Sequence, residues 1–517
     1  MKKILYSLLL LSVFSCSDLF DKKPNDAYPE EVILTAEGMD ALLTGAYSLI
    51  SDVNYYGLRL FLYEAMKGSE FFTRGSGGAA FSNEDAYSVS SRSNGNNRYM
   101  WQHIFLVIRN LTIIIENIDN MWVNENDLRR IKGQAYLLRG LCYFDLMRLF
   151  AYPPIFSIPG HSNYMDTCRW GLPILNDVEI GTNIRDHHLP RETAETTFAF
   201  IVDQFKRAEE LLEGRVVGRN RANAATAKAL LIRAYLYLED WNKVIEEGEE
   251  WLSKYGQQYD MLPYNGYITT YHKPFNSESV FELEYTIGNN LGSNSLNYWA
   301  RRPTYDEPGS ERDGTPSSIL GYSKLCLTFG RTTGTTRGYE LLNSNPNDVR
   351  RYLICELAIP GHPDYKSIRK YVGNPNHAVH NVPVVRLPEI YLSLAEACAK
   401  AGNAAKALEY ASVVTLARCN APANLSHINN LYEERRRELI FEGHNFWDQF
   451  RTSSHMKGRQ IIGYMDDATI TFGNWEGTTS CQVVYPIPLH ELNVNEKMRI
   501  QQNPGYAKWY LDLEDLD

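Results

Sequence analysis

Two pairs of segments in this chain carry apolar residues at helical spacing on either side of a short polar turn, and that pattern restricts the fold more than any other feature. In the first pair, Ala227, Ala234, Tyr235 and Leu238 lead to an Asp240-Trp241 turn, and a second amphipathic stretch follows over 241–254. The second pair repeats the arrangement. Ala395, Ala397 and Ala399 precede a Gly402-Asn403 turn, and Ala407 opens the return segment. Small residues on a helix face let a partner helix approach closely, so each pair reads as a helical hairpin. One hairpin cannot bury its own apolar face and must stack on neighbours.

Further segments supply those neighbours. Helical spacing predicts helices near 35–50, 57–70, 99–121, 127–150 and 195–213, with Leu137, Leu138, Leu141, Phe144 and Leu149 on one side of the fourth and Ala135 and Gly140 between them. The two hairpins resemble tetratricopeptide units. The expected fold is mainly α, a tetratricopeptide-like helical-repeat superhelix with little β. Its hairpins would cover about 35–70, 99–151, 195–254 and 386–452. Residues 73–98 and 255–385 lose the helical period and fill with Gly, Pro, Asn, Ser, Thr and Tyr. Long irregular insertions on a rigid scaffold commonly carry function, so the binding surface is expected there.

The first fifteen residues address the chain. Lys2 and Lys3 precede an apolar run, Ile4 to Phe14, which is too short for a membrane span of ~20 residues and suits the h-region of a secretory signal. Val13-Phe14-Ser15-Cys16 closes it and resembles a bacterial lipoprotein signal. Residues 1–15 are therefore read as a signal peptide, Cys16 as the lipidated first residue of the mature chain, 16–34 as a polar tether, and 35–517 as one domain. Several acyl chains at ~0.8 kcal/mol per buried CH2 would hold such a protein on a membrane surface without spanning it.

Removing Lys2 and Lys3 takes the formal charge from −10 to −12, and no dense basic block follows, so nucleic acid is not an expected partner. With Cys16 acylated, seven cysteines remain and no CxxC pair occurs, which suggests neither a disulfide framework nor a zinc cluster. Cys142 and Cys398 read as small core residues. His377/His380 is the one histidine spacing that suggests a ligand pair, and it lacks a third ligand. No metal or cofactor is expected. The 34 tyrosines, 9 tryptophans and 20 phenylalanines suit recognition of sugar or peptide, where an apolar face with a polar tip is useful.

Four separated blocks share one family pattern. They are Arg386-Leu387-Pro388-Glu389-Ile390-Tyr391-Leu392 with Ala395-Glu396-Ala397; Glu434-Arg435 with Glu438 to His444; Trp447-Asp448 to Arg451; and Tyr485-Pro486-Ile487-Pro488 with Gln502-Asn503-Pro504-Gly505-Tyr506. Together they resemble the SusD/RagB family, and Gly133-Gln134-Ala135 to Leu138-Arg139, Tyr143-Phe144 and Arg191 resemble its N-terminal half. The resemblance implies a non-catalytic, surface-exposed outer-membrane lipoprotein that captures an oligosaccharide and delivers it to a SusC-like TonB-dependent transporter. It requires no cofactor.

Glu434, Glu438, Glu442 and Asp448 invite a second reading, because glycosidases use two carboxylates about 5–10 Å apart. Arg435, Arg436, Arg437 and Arg451 are interleaved with them, which points instead to ion pairs. Sugar recognition needs flat aromatics for C–H faces and amides or arginines for hydroxyls. In the first insertion Phe71, Phe72, Arg74, Tyr87, Asn97 and Tyr99 lie close together; in the second, Tyr285, Asn289, Asn290, Asn294, Tyr298, Trp299, Arg301 and Tyr305 do. The residues singled out as glycan contacts are Arg74, Tyr87, Asn97, Tyr298, Trp299, Arg301 and Tyr305, while Trp101 is expected in the core. Peptide capture on the same fold, a lipid-anchored glycoside hydrolase and a protein-interaction scaffold remain the alternatives.

Overall fold

The computed structural model describes residues 35–452, the paired strands at 455–461 and 464–471, and residues 483–506, apart from 69, 74–80, 86–88, 93–94, 162, 177–187, 216, 301–324, 327, 330–333, 357–365 and 372–378. Eleven longer helices carry the architecture. They are α1 (Ala36–Ile50), α2 (Arg59–Lys67), α3 (Asn96–Asn117), α4 (Glu125–Phe150), α5 (Ala194–Leu212), α6 (Ala224–Tyr237), α7 (Trp241–Tyr255), α8 (Leu387–Lys400), α9 (Ala404–Cys419), α10 (Ile428–Glu438) and α11 (Asn445–Thr452). Polar side chains fix several starts: Asn124, Thr193, Asn223, Asp240 and Asn403 each accept a backbone N–H from the first turn they precede.

The stack runs without interruption. α1 packs on α3, α3 on α4, α4 on α5, α5 on α6, α6 on α7, α7 on α8 and α8 on α9, so the whole second insertion lies between two helices that are themselves in contact. Glycines set the closest approaches. A Cβ built on Gly133 would lie 2.7 Å from Leu212, one on Gly140 2.7 Å from the Phe205 ring, and one on Gly248 2.6 Å from Leu394. Trp101, Trp251 and Trp447 are buried in the core, and the latter two donate their indole N–H to the carbonyls of Ala225 and Arg148, each at 2.8 Å. Cys142 and Cys398 are buried free thiols.

The C-terminal segment returns to the scaffold. Tyr485 N–H donates to the Leu149 carbonyl (2.8 Å), and Asn503 donates to the carbonyls of Phe150 (2.7 Å) and Tyr485 (2.8 Å). Buried Arg191 fastens it through carbonyls and an amide, with no carboxylate partner among the described residues. Its guanidinium donates to the carbonyls of Gly171, Phe150, Trp170 and Gln501 and to Asn503 Oδ1, at 2.6–3.1 Å. Burial without an opposing charge pulls its pKa down to about 9.

Among the described residues the β-structure consists of two-stranded pairs and one isolated bridge, Trp170 to Thr193. Ser279–Leu283 and Val382–Arg386 run antiparallel, with Ser279 opposite Arg386, and bring the entrance and exit of the second insertion together. Below this pair lies a buried ionic cluster. Glu438 accepts from Arg350, Arg386 and Arg418 at 3.0 Å each; Glu278 accepts from Arg386 (2.9 Å) and Arg418; Glu442 accepts from Arg386 (2.8 and 2.6 Å) and Lys370. Glu434 pairs with Arg350 and Arg437, and Asp448 with Arg435 and Arg451. All four carboxylates of the Glu434–Asp448 block are thus committed to arginines. Burial opposes ionisation of Glu438, but Arg418, Arg386 and Arg350 prevail and hold its carboxyl well below the usual range. Lys370 goes the other way: desolvation, incompletely offset by Glu442, lowers it to about 8.

Three stability outcomes follow from this packing and are measurable by chemical denaturation. Gly140→Ala should lower stability by about 1 kcal/mol net, because overpacking costs ~1–3 kcal/mol against a helix-propensity gain near 1. Gly45→Ala in α1, where a Cβ meets nothing within 4 Å, should raise it by ~0.5–1 kcal/mol. Glu438→Gln should cost about 3–5 kcal/mol at pH 7, since it removes the carboxylate that three buried arginines share and leaves their summed charge undermatched. Because the folded pKa of Glu438 is depressed, this stabilisation is present above the ordinary value of 4.5 and is lost as pH falls below it. The gap between wild type and variant should therefore close in acid.

Candidate functional site

The two insertions meet. Phe72–Thr73 from the first pairs antiparallel with Leu325–Cys326 from the second, and Phe81 packs edge-on against Trp299 with ring centroids 6.1 Å apart at 85°. A short helix at Ser82–Asp85 then links this contact to α3. Glu84 in that helix accepts from the Asn96 amide (3.1 Å) and the Tyr485 hydroxyl (2.8 Å), and Asn96 Oδ1 accepts from Arg59 Nε (2.9 Å). The Arg59 guanidinium lies 5.1 Å from the centre of the Tyr99 ring, and burial lowers its pKa. Tyr99 itself is 46% exposed. A ring backed by a fixed cation and open on its outer side is a stacking platform.

The second insertion supplies the opposite side. Leu291 sits against the 51–57 turn so closely that a Cβ on Gly57 would fall 2.4 Å from its Cδ1, and the Tyr285 hydroxyl donates to the Ser51 carbonyl at 2.7 Å. Asn289 and Asn290 are spent on local turns, accepting from Thr286 and Gly292 backbone N–H groups. The short helix Leu296–Ala300 follows, held at its start by Ser295 and by His380, whose Nε2 accepts the Asn297 N–H at 3.2 Å. Asn297 Oδ1 is buried and has no hydrogen-bond partner among the described residues.

Of the seven residues singled out from sequence, Asn97, Tyr298 and Trp299 fall among the described residues. Asn97 is fully buried at the start of α3, Tyr298 is half-buried on the short helix, and Trp299 is 6% exposed, its ring packed into the core cluster beside Phe81. Trp299 thus stands on a helix and not on the loop its neighbours in sequence suggest. Arg74, Tyr87, Arg301 and Tyr305 lie outside the described residues, as does Cys16. Trp101 is core, as its position at the head of α3 implied. Sequence reading gave Tyr99 too little weight and missed Arg59. Helical spacing held the signal for Tyr99: Asn97, Met100, Trp101, Ile104, Val107 and Ile108 face inward, which leaves Tyr99 and Leu106 on the outer side. Arg59 carried none, because its partners come from distant segments.

Among the described residues no cluster of three His, Cys, Asp or Glu could hold a metal ion, and no helix is long and apolar enough to cross a membrane. His377, the other half of the spaced histidine pair, lies outside the described residues.

Fold and site together define a helical-repeat scaffold that presents an aromatic, amide-rich surface from two joined insertions. The profile of the SusD family matches residues 361–506, and a second, described as starch-binding associating with outer membrane, matches residues 18–237. The SusD-like protein P2 of Formosa agariphila is 25% identical over 247 residues, a match spanning 48% of this chain and 45% of that protein's length. Among solved structures, a Bacteroides vulgatus protein with a proposed sugar-binding role superposes with a TM-score of 0.72 at 26% identity, covering 92% of this chain and 99% of its own. A SusD superfamily protein from Bacteroides thetaiotaomicron gives 0.74 at 24% identity, covering 91% and 100%. A laminarin-binding SusD-like protein gives 0.67 at 21%, covering 91% and 100%. The chain is a SusD-like protein.

Proposed function

We propose that this chain is a cell-surface lipoprotein, anchored through acylated Cys16, that captures oligosaccharides and hands them to a SusC-like TonB-dependent transporter in the outer membrane. The observation that carries the binding reading is the open Tyr99 ring, backed by Arg59, at the junction of the two insertions. A sugar ring has an apolar C–H face and an equatorial rim of hydroxyls. The Tyr99 face takes the first, and Tyr298 and the side chains of Arg74, Tyr87, Arg301 and Tyr305 supply partners for the second, whereas Asn97 is buried beneath the surface. Trp299 contributes through the small part of its surface left open and by joining the two insertions at Phe81. The outer-membrane description of the matching family and the proposed sugar-binding role of the Bacteroides vulgatus relative support the reading. Capture without turnover fits the carboxylates of the Glu434–Asp448 block, which are tied to arginines in the core and so are not poised for acid–base work.

Weak capture suits delivery, because a ligand held too tightly is not passed on. Calorimetric titration of the mature chain with a panel of plant and host oligosaccharides and mixed peptides tests this. One glycan should bind saturably and remain unhydrolysed. Each stacked aromatic contributes ~0.5–1.5 kcal/mol, so Tyr99→Ala should weaken binding by about 2- to 10-fold, with a smaller loss for Trp299→Ala. Binding of peptides alone would transfer the site to peptide capture, and product release would reopen the hydrolase reading.

A further inference from the structure

Resting on the glycan-capture reading above, we infer that His380 is the positioning residue of the ligand-binding surface: as a neutral imidazole it holds the Leu296–Ala300 helix, and with it Tyr298 and Trp299, in the binding geometry. The helix is only five residues long and has few bonds of its own, so what grips its first turn decides where it sits. Ser295 Oγ accepts the Tyr298 N–H at 3.2 Å, and His380 Nε2 accepts the Asn297 N–H at 3.2 Å. An imidazole nitrogen accepts only when it carries no proton, so the contact assigns the ring proton to Nδ1, which faces the Asn381 carbonyl at 3.4 Å.

The setting of the ring keeps it neutral. Part of the residue reaches the surface, yet the imidazole lies between the rings of Tyr371 and Tyr285, at 5.2 and 6.1 Å. Both tyrosine hydroxyls are turned away, donating to the carbonyls of Phe441 and Ser51. Carboxylates act on the neighbours of the ring: Asn381 donates its amide to Glu282 at 2.9 Å, Glu442 and Glu64 act on Tyr371, and Asp52 acts on Tyr285. Desolvation therefore dominates and pushes the imidazole down from 6.5 to about 4. The sign of the linkage follows. Below pH 6.5 a detached His380 takes up a proton that the docked one refuses until about pH 4, so each pH unit across that window favours detachment by up to about tenfold.

The phenylalanine and glutamine variants separate positioning from packing. His380→Phe keeps an apolar ring of similar shape and removes the acceptor; His380→Gln restores an acceptor that does not titrate. Hydrogen exchange followed on peptides covering 291–300 of the full mature chain reads the contact without any ligand. Exchange should quicken about fivefold in His380→Phe, the equivalent of one neutral hydrogen bond, and return toward wild type in His380→Gln. Unchanged protection in His380→Phe overturns the inference, whatever the ligand proves to be. If a glycan binds at pH 7, its affinity should fall as pH is lowered from about 6.5 to 4 in the wild type and stay flat in His380→Gln, with circular dichroism confirming the fold at each pH. A glycan that binds with the same acid profile in both proteins also overturns it. Failure of every glycan to bind would sink the capture reading alone and leave the exchange result standing.

Discussion

The seating of the second insertion on the scaffold depends on one buried carboxylate. Glu438, at the end of α10, is shared by Arg350, Arg386 and Arg418, and these arginines come from the middle of the second insertion, from its exit strand and from α9. Glu278 at the insertion's entrance is drawn in through Arg386 and Arg418. The cluster therefore pins the start, middle and end of a segment of more than a hundred residues to the last repeat. Ion pairs of this kind are poor sources of net stability compared with well-packed apolar groups, because desolvation consumes most of the Coulombic gain. They are, however, intolerant of substitution by anything that leaves a charge unmatched. What they supply here is definition: the insertion has one seat on the scaffold.

From that seat the geometry of the binding surface follows in order. The strand pair closing the insertion at Ser279 and Arg386 places Tyr285 beneath the 51–57 turn and His380 beside it. His380 then grips the Leu296–Ala300 helix, Trp299 of that helix meets Phe81 of the first insertion, and Glu84, three residues further on, connects through Asn96 to Arg59 and Tyr99. Each link is a packed or hydrogen-bonded contact between segments distant in sequence. The surface is thus assembled by tertiary contacts, not by the local preferences of its loops.

That division explains what the sequence could and could not reveal. The hairpins at 222–254 and 386–418 were legible because their helices obey a period, their turns carry Asp240 and Asn403 as caps, and small residues mark the contact faces. The Glu434–Arg451 block was legible as ion pairing because charges of opposite sign alternate at helical spacing. Trp299 was less so: a stretch rich in Asn and Gly reads as loop, and nothing local foretells that Ser295 and His380 will cap a short helix there. Tyr99 sat in plain view of the α3 periodicity but was eclipsed by its more polar neighbours. Arg59 and His380 owe their importance to Asn96, Tyr99 and Asn297, partners dozens of positions away, which no single-sequence pattern encodes.

The closure of the second insertion at its neck has a consequence for how such proteins diversify. Its two ends enter and leave side by side, and α7 and α8 touch each other directly beneath, so the scaffold does not depend on the path the chain takes in between. Lengthening a closed loop costs little, only ~0.6 kcal/mol for each doubling in a flexible chain. Provided the residues that fasten the neck are kept, the intervening segment can be rewritten, shortened or extended while the frame stands. The fold behaves as a handle with an exchangeable tool head, free to acquire new ligands without having to fold anew.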